Sequence, residues 1–450
     1  MCSNRRGTGG LLVCSLRGNR SPFSCADGDQ RGGFSAINIL HNGVRIATEH
    51  VWSPLACVSL VVAAGSRYET HCNNGLTHFI EHMAFKGFKT LPKAKLEESM
   101  FCTAGKLTAH TSREMQVFSA ILPSEYALTA VDKLSKIITD LDLNENEMEL
   151  ERANIDLELI DDDNDPKRVV FDYLHATAFQ GTPLGQRVIG TTDNLARFEP
   201  CSTAAFMCEH YQPYRLVLAT SGNVSHEQIM SYAEPRFGCI APQPCCEPEP
   251  GPNRFTGSSV LYRDDSMPLA YVAVAFEAPG YCSSEYLSML LLKHIVGSWD
   301  RSQWPGVANA APAARGLALD NTCENYEAFY IAYRDIGLFG VYFVASKYRL
   351  DETLWRFQDQ WLKLCTTIQQ TDVERGIGSL RLELARRYDG VVRSSRDIGV
   401  QMLYTCGRRS LNDLATQSDF SYTHTASRGR YLVSDLFYYK RGGLGLHFAD

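Results

Sequence analysis

The chain has 450 residues, 44% of them hydrophobic and 21% charged, and a net charge of −7. That length exceeds one ordinary hydrophobic core, so two or more domains are expected, with the composition of a folded globular protein. The mild acidity argues against a nucleic-acid partner and permits a cationic one, and no apolar run reaches the roughly 18–20 residues of a membrane-spanning helix.

The first 26 residues carry Arg5, Arg6, Arg17 and Arg20, frequent Ser and Gly, and no acid before Asp27. This is the composition of a mitochondrial transit peptide, expected over 1–33. The ordered part begins near Phe34. Ser35–Ile39 and Val44–Thr48 alternate like a hairpin around Asn42–Gly43, a strong turn dipeptide. Val58–Gly65 reads as a buried strand. Lys106–Thr111 and Val117–Leu122 read as neighbouring strands, and Ser124–Leu141 as a long helix. Asn144 caps the next helix, with Glu147 three residues on in the capping-box arrangement.

An echo of the first half follows. Val58–Gly65 precedes a helix, and Tyr271–Gly280 is again a buried strand followed by a helix, Ser284–Gly297. We therefore expect an α+β fold of two homologous domains, each a mixed sheet with helices, over 34–242 and 254–450. The stretch 243–253, rich in Pro, Cys and Glu, is the linker. Trp299–Arg315 reads as a surface loop. The 15 cysteines are an odd number, scattered, with no C-x-x-C pair, and read as mostly free thiols of a reducing compartment.

Chemistry is concentrated in the helix around Gly75–Lys86. Leu76, Phe79, Ile80 and Met83 give it the apolar period of a buried helix. His78 and His82 stand at i and i+4, so both imidazoles project from one face, with Glu81 at its edge. Two neutral imidazoles so placed can close on one Zn²⁺, and a carboxylate beside them can take a proton from water. This is the order H-x-x-E-H, the inverse of H-E-x-x-H. By itself such a pair often means only two polar side chains, so a third ligand is needed. Glu151 and Glu158 lie seven apart on the next long helix and share a face. Either can approach the two histidines. The corresponding helix of the second half, Ser284–Gly297, has only His294 and no such motif.

The stretches Gly65–Glu69, Asn73–Gly75 and His78–Gly87 resemble the pitrilysin/insulinase-type inverted zincins. Within that family the likeness is to the branch of mitochondrial processing peptidase beta subunits and first core subunits of complex III (cytochrome bc1). It continues through Thr111–Glu114, Val169–Ala176, Pro183–Gly185, Arg263–Asp265, Met267–Ala270, Asp397–Gly399 and Gln401–Leu403. Glu158 stands 76 residues after His82, the family's spacing for the third ligand. The resemblance thus implies Zn²⁺ on His78, His82 and Glu158, with Glu81 as catalytic base and Glu151 supporting the site. It implies a metal-free alpha-type or second core subunit as partner, complex III subunits in the core role, and basic presequence peptides as substrates. The implied place is the mitochondrial matrix or the matrix face of the inner membrane. It implies presequence cleavage, or alternatively a structural role in complex III with an idle zinc site.

Three features depart from the family. Thr108 replaces an Asn that helps hold substrate. Arg168 replaces a usually acidic residue that attracts basic presequences, whereas Asp172, a second acidic substrate position, is kept. Segment Ser418–Arg428 fits the family poorly. Arg168 is accordingly expected to repel basic substrates. The edge strand around Leu107–His110 is expected to pair with extended substrate by strand addition.

Overall fold

In the computed structural model, residues 35–241, 253–303, 311–411 and 413–414 are described. The expected transit peptide, nearly all of the linker and Ser418–Arg428 lie outside them. The first sheet opens with β1 (Ser35–Ile39), β2 (Arg45–His50) and β3 (Leu55–Val62). Helix α1 (Leu76–Met83) follows, then the short pair β4 (Gly87–Phe88) and β5 (Leu91–Pro92) and helix α2 (Lys93–Cys102). Strands β6 (Lys106–Thr111) and β7 (Gln116–Pro123) lead into helices α3 (Ala127–Thr139), α4 (Glu145–Asn164) and α5 (Pro166–Ala178). Helices α6 (Thr192–Leu195) and α7 (Pro200–His210), strand β8 (Leu216–Gly222) and helix α8 (His226–Phe237) complete the half. The strand order is β1-β2-β8-β3-β7-β6, with β2 and β8 parallel and the other pairs antiparallel. This leaves β6 as an edge.

The hairpin at Asn42–Gly43 forms as expected, with Ile39 opposite Arg45. Half of the expected capping box forms at α4. Asn144 Oδ1 accepts from Asn146 N (2.9 Å), whereas Glu147 turns to Lys93 Nζ (3.4 Å).

The second half contains β9 (Leu269–Pro279), α9 (Tyr286–Val296), β10 (Ser298–Asp300), α10 (Pro312–Asp320), β11 (Asn325–Ala332) and β12 (Ile336–Ser346). Helices α11 (Leu350–Thr366), α12 (Gln370–Arg387) and α13 (Val391–Thr405) follow. The strand order is β10-β11-β12-β9, antiparallel throughout. The expectation of a loop over Trp299–Arg315 is corrected at both ends. Trp299 lies in β10, is buried and pairs with Tyr326, and Pro312 opens α10. Proline in the first helical turn loses no hydrogen bond, so a Pro-Ala run can start a helix as readily as fill a loop.

Each half lends a helix to the other's sheet. Phe171 and Leu174 of α5 pack with Phe329, Leu338 and Tyr342 of the second sheet. Ile398 and Met402 of α13 pack with Val61, Val117 and Val217 of the first. Ser395 Oγ donates to Ala219 O at 3.0 Å, and a Cβ at Gly399 would come 2.4 Å from Val61 Cγ2, so glycine there permits the close approach. An ion cluster with a buried Arg67–Glu114 pair joins the halves as well. Arg67 pairs with Glu114 and donates to both Asp335 oxygens at 2.8 Å, while Glu114 also accepts from Arg334 N (2.9 Å) and Tyr404 OH (2.5 Å). The stretches Gly65–Glu69 and Thr111–Glu114 therefore act partly as a clasp.

Candidate metal centre

Helix α1 is short and its N-cap, Gly75, has no side chain to offer. Glu69 supplies the cap from outside. Its carboxylate accepts from Gly75 N (2.8 Å), Thr77 N (2.6 Å), Thr77 Oγ1 (2.6 Å) and Asn74 Nδ2 (2.9 Å). A carboxylate on the free N–H groups of a helix start satisfies those donors and favours the helix dipole. Gly75 has φ 99°, and a Cβ there would meet Ile189 O at 2.7 Å. Leu76, Phe79, Ile80 and Met83 are buried against the core, which fixes the face that carries His78, Glu81 and His82.

Helix α4 packs across that face. Its buried residues Met148, Glu151, Ile155 and Leu159 recur every three or four positions and set its rotation. Glu158 Oε2 then stands 3.1 Å from His78 Nε2 and 3.2 Å from His82 Nε2. Two turns earlier, Glu151 Oε2 stands 3.1 Å from His82 Nδ1, and its other oxygen pairs with Lys86 Nζ at 2.5 Å. Glu158 and Glu151 thus take different nitrogens of the same ring.

This arrangement can be tested against a zinc ion. With Glu151 accepting from His82 Nδ1–H, the Nε2 lone pair faces Glu158. Two acceptors so close need a proton or a cation between them. Ligands about 2.0–2.1 Å from a tetrahedral ion stand roughly 3.4 Å apart, near the separations seen here. The donor atoms of His78, His82 and Glu158 all lie within 4.8 Å of one another, and among the described residues no other such group converges. Two imidazoles, one carboxylate and an open side form the donor set of a catalytic zinc, and the residues fit it.

The electrostatics agree. Burial disfavours a charged His78, but hydrogen bonds to Glu158 and Glu81 carry its pKa up to about 9. Hydrogen bonds from His78 and His82 hold Glu158 well below the usual carboxylate range against the cost of burial. Burial raises Glu81, yet its bonds to His78 and Thr111 outweigh that and keep it low. The site therefore attracts positive charge between its imidazoles and carboxylates. A divalent cation satisfies that demand better than a shared proton.

The expected substrate residues are placed as follows. Thr108 lies half-buried on edge strand β6, opposite Ser119. Asp172, on α5, has both oxygens engaged, by Arg113 Nη2 (3.0 Å) and Arg187 Nε (2.9 Å). Arg168 pairs with Asp162, and its Nε stands 3.4 Å from Asp165 Oδ2, so neighbouring acids offset its charge. Three residues of the site were not singled out from sequence. Glu69 lay within a recognised stretch but without a role. Lys86 lies just past the end of α1 and had no helical signal. Arg396, from α13, is close enough to feel the Glu81 carboxylate and had no local signal.

A family model described as Insulinase (Peptidase family M16) matches residues 45–192, and one described as Peptidase M16 inactive domain matches 202–380. Human cytochrome b-c1 complex subunit 1, mitochondrial, is 36% identical over 376 residues, covering 83% of this chain and 78% of that protein. The bovine mitochondrial-processing peptidase subunit beta is 36% identical over 384 residues, covering 85% and 78%. A chain of Complex III2 from Candida albicans superposes with a TM-score of 0.73 at 22% identity, covering 86% of this chain and 92% of its own. A protease from Helicobacter pylori does so with 0.75 at 16%, covering 90% and 96%. These two likenesses concern the fold. With an inverted zincin motif on α1, an M16 model on each half and relatives at this identity, the chain belongs to the insulinase family, peptidase family M16.

Proposed function

We propose that the chain is a zinc metalloendopeptidase subunit that cleaves presequences of imported mitochondrial proteins together with a homologous, metal-free alpha-type partner. The single observation that carries this is the convergence of His78 Nε2, His82 Nε2 and Glu158 Oε2 beside Glu81 and an edge strand. Zn²⁺ bound there supplies Lewis acidity, polarising the scissile carbonyl and making water a better acid. His78, His82 and Glu158 hold the ion, and Glu151 keeps the His82 ring in its ligating tautomer. Glu81 accepts the proton of the attacking water and returns it to the leaving nitrogen. Strand β6, with Thr108, lines up an extended peptide through its main chain. Asp172 contributes by fixing Arg113, which lines the cleft next to the end of β6.

On this reading residues 1–33 are a transit peptide directing the chain to the matrix. Residues 34–242 form the metal-bearing domain, 243–253 the linker and 254–450 the metal-free copy. The partner closes the other half of the chamber. The equal likeness to complex III subunit 1 supports the second reading, a core subunit with an idle zinc site on the matrix face of the inner membrane.

The test is to purify the chain with and without its partner and to measure zinc and presequence cleavage. Wild type should hold one zinc and His78→Ala/His82→Ala none. Glu81→Gln should keep the zinc and lose roughly 10²–10⁴-fold in kcat. Zinc retained by the double variant, or full cleavage by Glu81→Gln, would refute the assignment. Comigration with cytochromes b and c1, without cleavage, would select the second reading.

A further inference from the structure

Helix α13 and the end of β6 line one cleft. One face of that helix is buried on the first sheet through Ser395, Ile398, Gly399 and Met402. The other face presents Arg393, Arg396, Val400 and Tyr404 to this cleft of about 670 Å³, whose lining also includes His110 and Thr111. Positions 393, 396, 400 and 404 are spaced three and four apart, so they form one continuous stripe.

The charges of this cleft do not cancel. Its acids are Glu114, Glu383 and Asp397. Glu114 is taken by Arg67, and Asp397 by Arg408 at 2.7 Å. Glu383 pairs with Lys293 at 3.0 Å and Arg387 at 3.2 Å. Arg113 is neutralised by Asp172. Among the described residues, two cations of the cleft have no carboxylate contact. Arg393 Nη1 donates to the Arg386 carbonyl at 2.9 Å and has no carboxylate partner among the described residues. Arg396 has neither a hydrogen bond nor an ion pair among them, and both guanidiniums are exposed to the cleft. Arg396 also sits near enough to the centre to interact with Glu81, and its charge lowers the pKa of His110 after burial has done so.

We propose that Arg396, supported by Arg393, forms an anion subsite beside the metal centre that binds a carboxylate of the substrate peptide close to the scissile bond. An unpaired guanidinium in a cleft presents a planar fork of donors that matches a carboxylate with two hydrogen bonds. The bound group is either an Asp or Glu side chain or the peptide's C-terminal carboxylate, which share this chemistry. The inference rests on the peptidase reading and narrows it: basic residues belong elsewhere along the peptide, and a basic residue at this subsite is rejected.

The experiment separates the two claims because it reads binding, not hydrolysis. The full chain together with its partner, loaded with zinc, is titrated into fluorescein-labelled peptides of one parent sequence, followed by anisotropy. One arm moves a single Asp, Asn or Arg through the positions around the parent's cleavage site. The other compares a free C-terminal carboxylate with its amide. At one position, or at the C-terminus, the carboxylate form should bind about ten- to a hundredfold tighter than its neutral counterpart. The preference should shrink as salt rises. It should vanish in Arg396→Gln, return in part in Arg396→Lys and survive in Arg168→Gln, whose charge is already paired. Whichever arm shows the preference identifies the source. Equal binding of all carboxylate and neutral peptides, no binding of any, or a preference that persists in Arg393→Gln/Arg396→Gln overturns the subsite. Zinc content and Glu81-dependent hydrolysis, measured on the same preparations, report on the peptidase reading independently.

Discussion

On the zinc reading proposed above, Glu151 should control how tightly the chain holds the ion without being one of its ligands. The residue is 3% exposed and its carboxylate serves three groups: His82 Nδ1 at 3.1 Å, Lys86 Nζ at 2.5 Å and Asn154 Nδ2 at 3.2 Å. The bond to His82 fixes which ring nitrogen carries the proton and which one is free to ligate. Glu151→Ala removes that bond, lets the ring turn, and leaves the Lys86 ammonium unpaired near a cation site. Loss of such a supporting partner typically lowers metal affinity by about 10–100-fold, or roughly 1.4–2.7 kcal/mol. Glu151→Gln should fall between, because one amide oxygen cannot serve both His82 and Lys86 while its NH₂ group must face one of them. The assay is competition for zinc against a chelator of known affinity, with Asp172→Asn as a control that should change nothing. Wild-type affinity in Glu151→Ala would show that the His82–Glu151 bond does not orient the ligand and would refute this reasoning.

Two further outcomes concern stability. His175 donates from Nδ1 to Phe171 O at 2.6 Å and accepts from Tyr333 OH at 2.8 Å, joining α5 to the second sheet. Burial, and then the nearby Arg113, push its pKa down to about 3 from an ordinary 6.5. The unfolded chain takes up a proton that the fold refuses, so this stability is complete above about pH 6.5 and is lost as pH falls toward 3, by about 2 kcal/mol at pH 5. Urea unfolding at pH 7.5 and 5 should show wild type losing that much more than His175→Gln; equal losses would sink the argument. Arg67→Ala should cost about 3–5 kcal/mol, because Arg67 (2% exposed) leaves Glu114 (4% exposed) charged and buried. Adding Glu114→Ala should recover part of that loss, and a cost below about 1 kcal/mol in the single variant would mean that the clasp does not hold the halves.

What the sequence determined by itself is what depends on neighbours along the chain. A His pair at i and i+4 shares a helix face whatever the rest of the protein does, and the apolar steps Leu76, Phe79, Ile80 and Met83 decide which face is left open. Asn42–Gly43 turns the chain between two alternating runs for equally local reasons. The carboxylates were half legible. Residue spacing placed Glu151 and Glu158 on one helix face but could not assign them; family spacing selected Glu158. The packing of α4 on α1 gave each acid its own nitrogen, a matter of helix rotation fixed by Met148, Ile155 and Leu159. Other features arise only when distant segments meet. The exchange of α5 and α13 between the sheets, the Arg67–Glu114–Asp335 clasp and the unpaired Arg396 facing the centre join residues 47 to about 340 positions apart. No local periodicity carries that information. Whether a charge is neutralised, as for Arg168 beside Asp162, or left free, as for Arg396 in the cleft, is set by which surfaces the tertiary fold brings together.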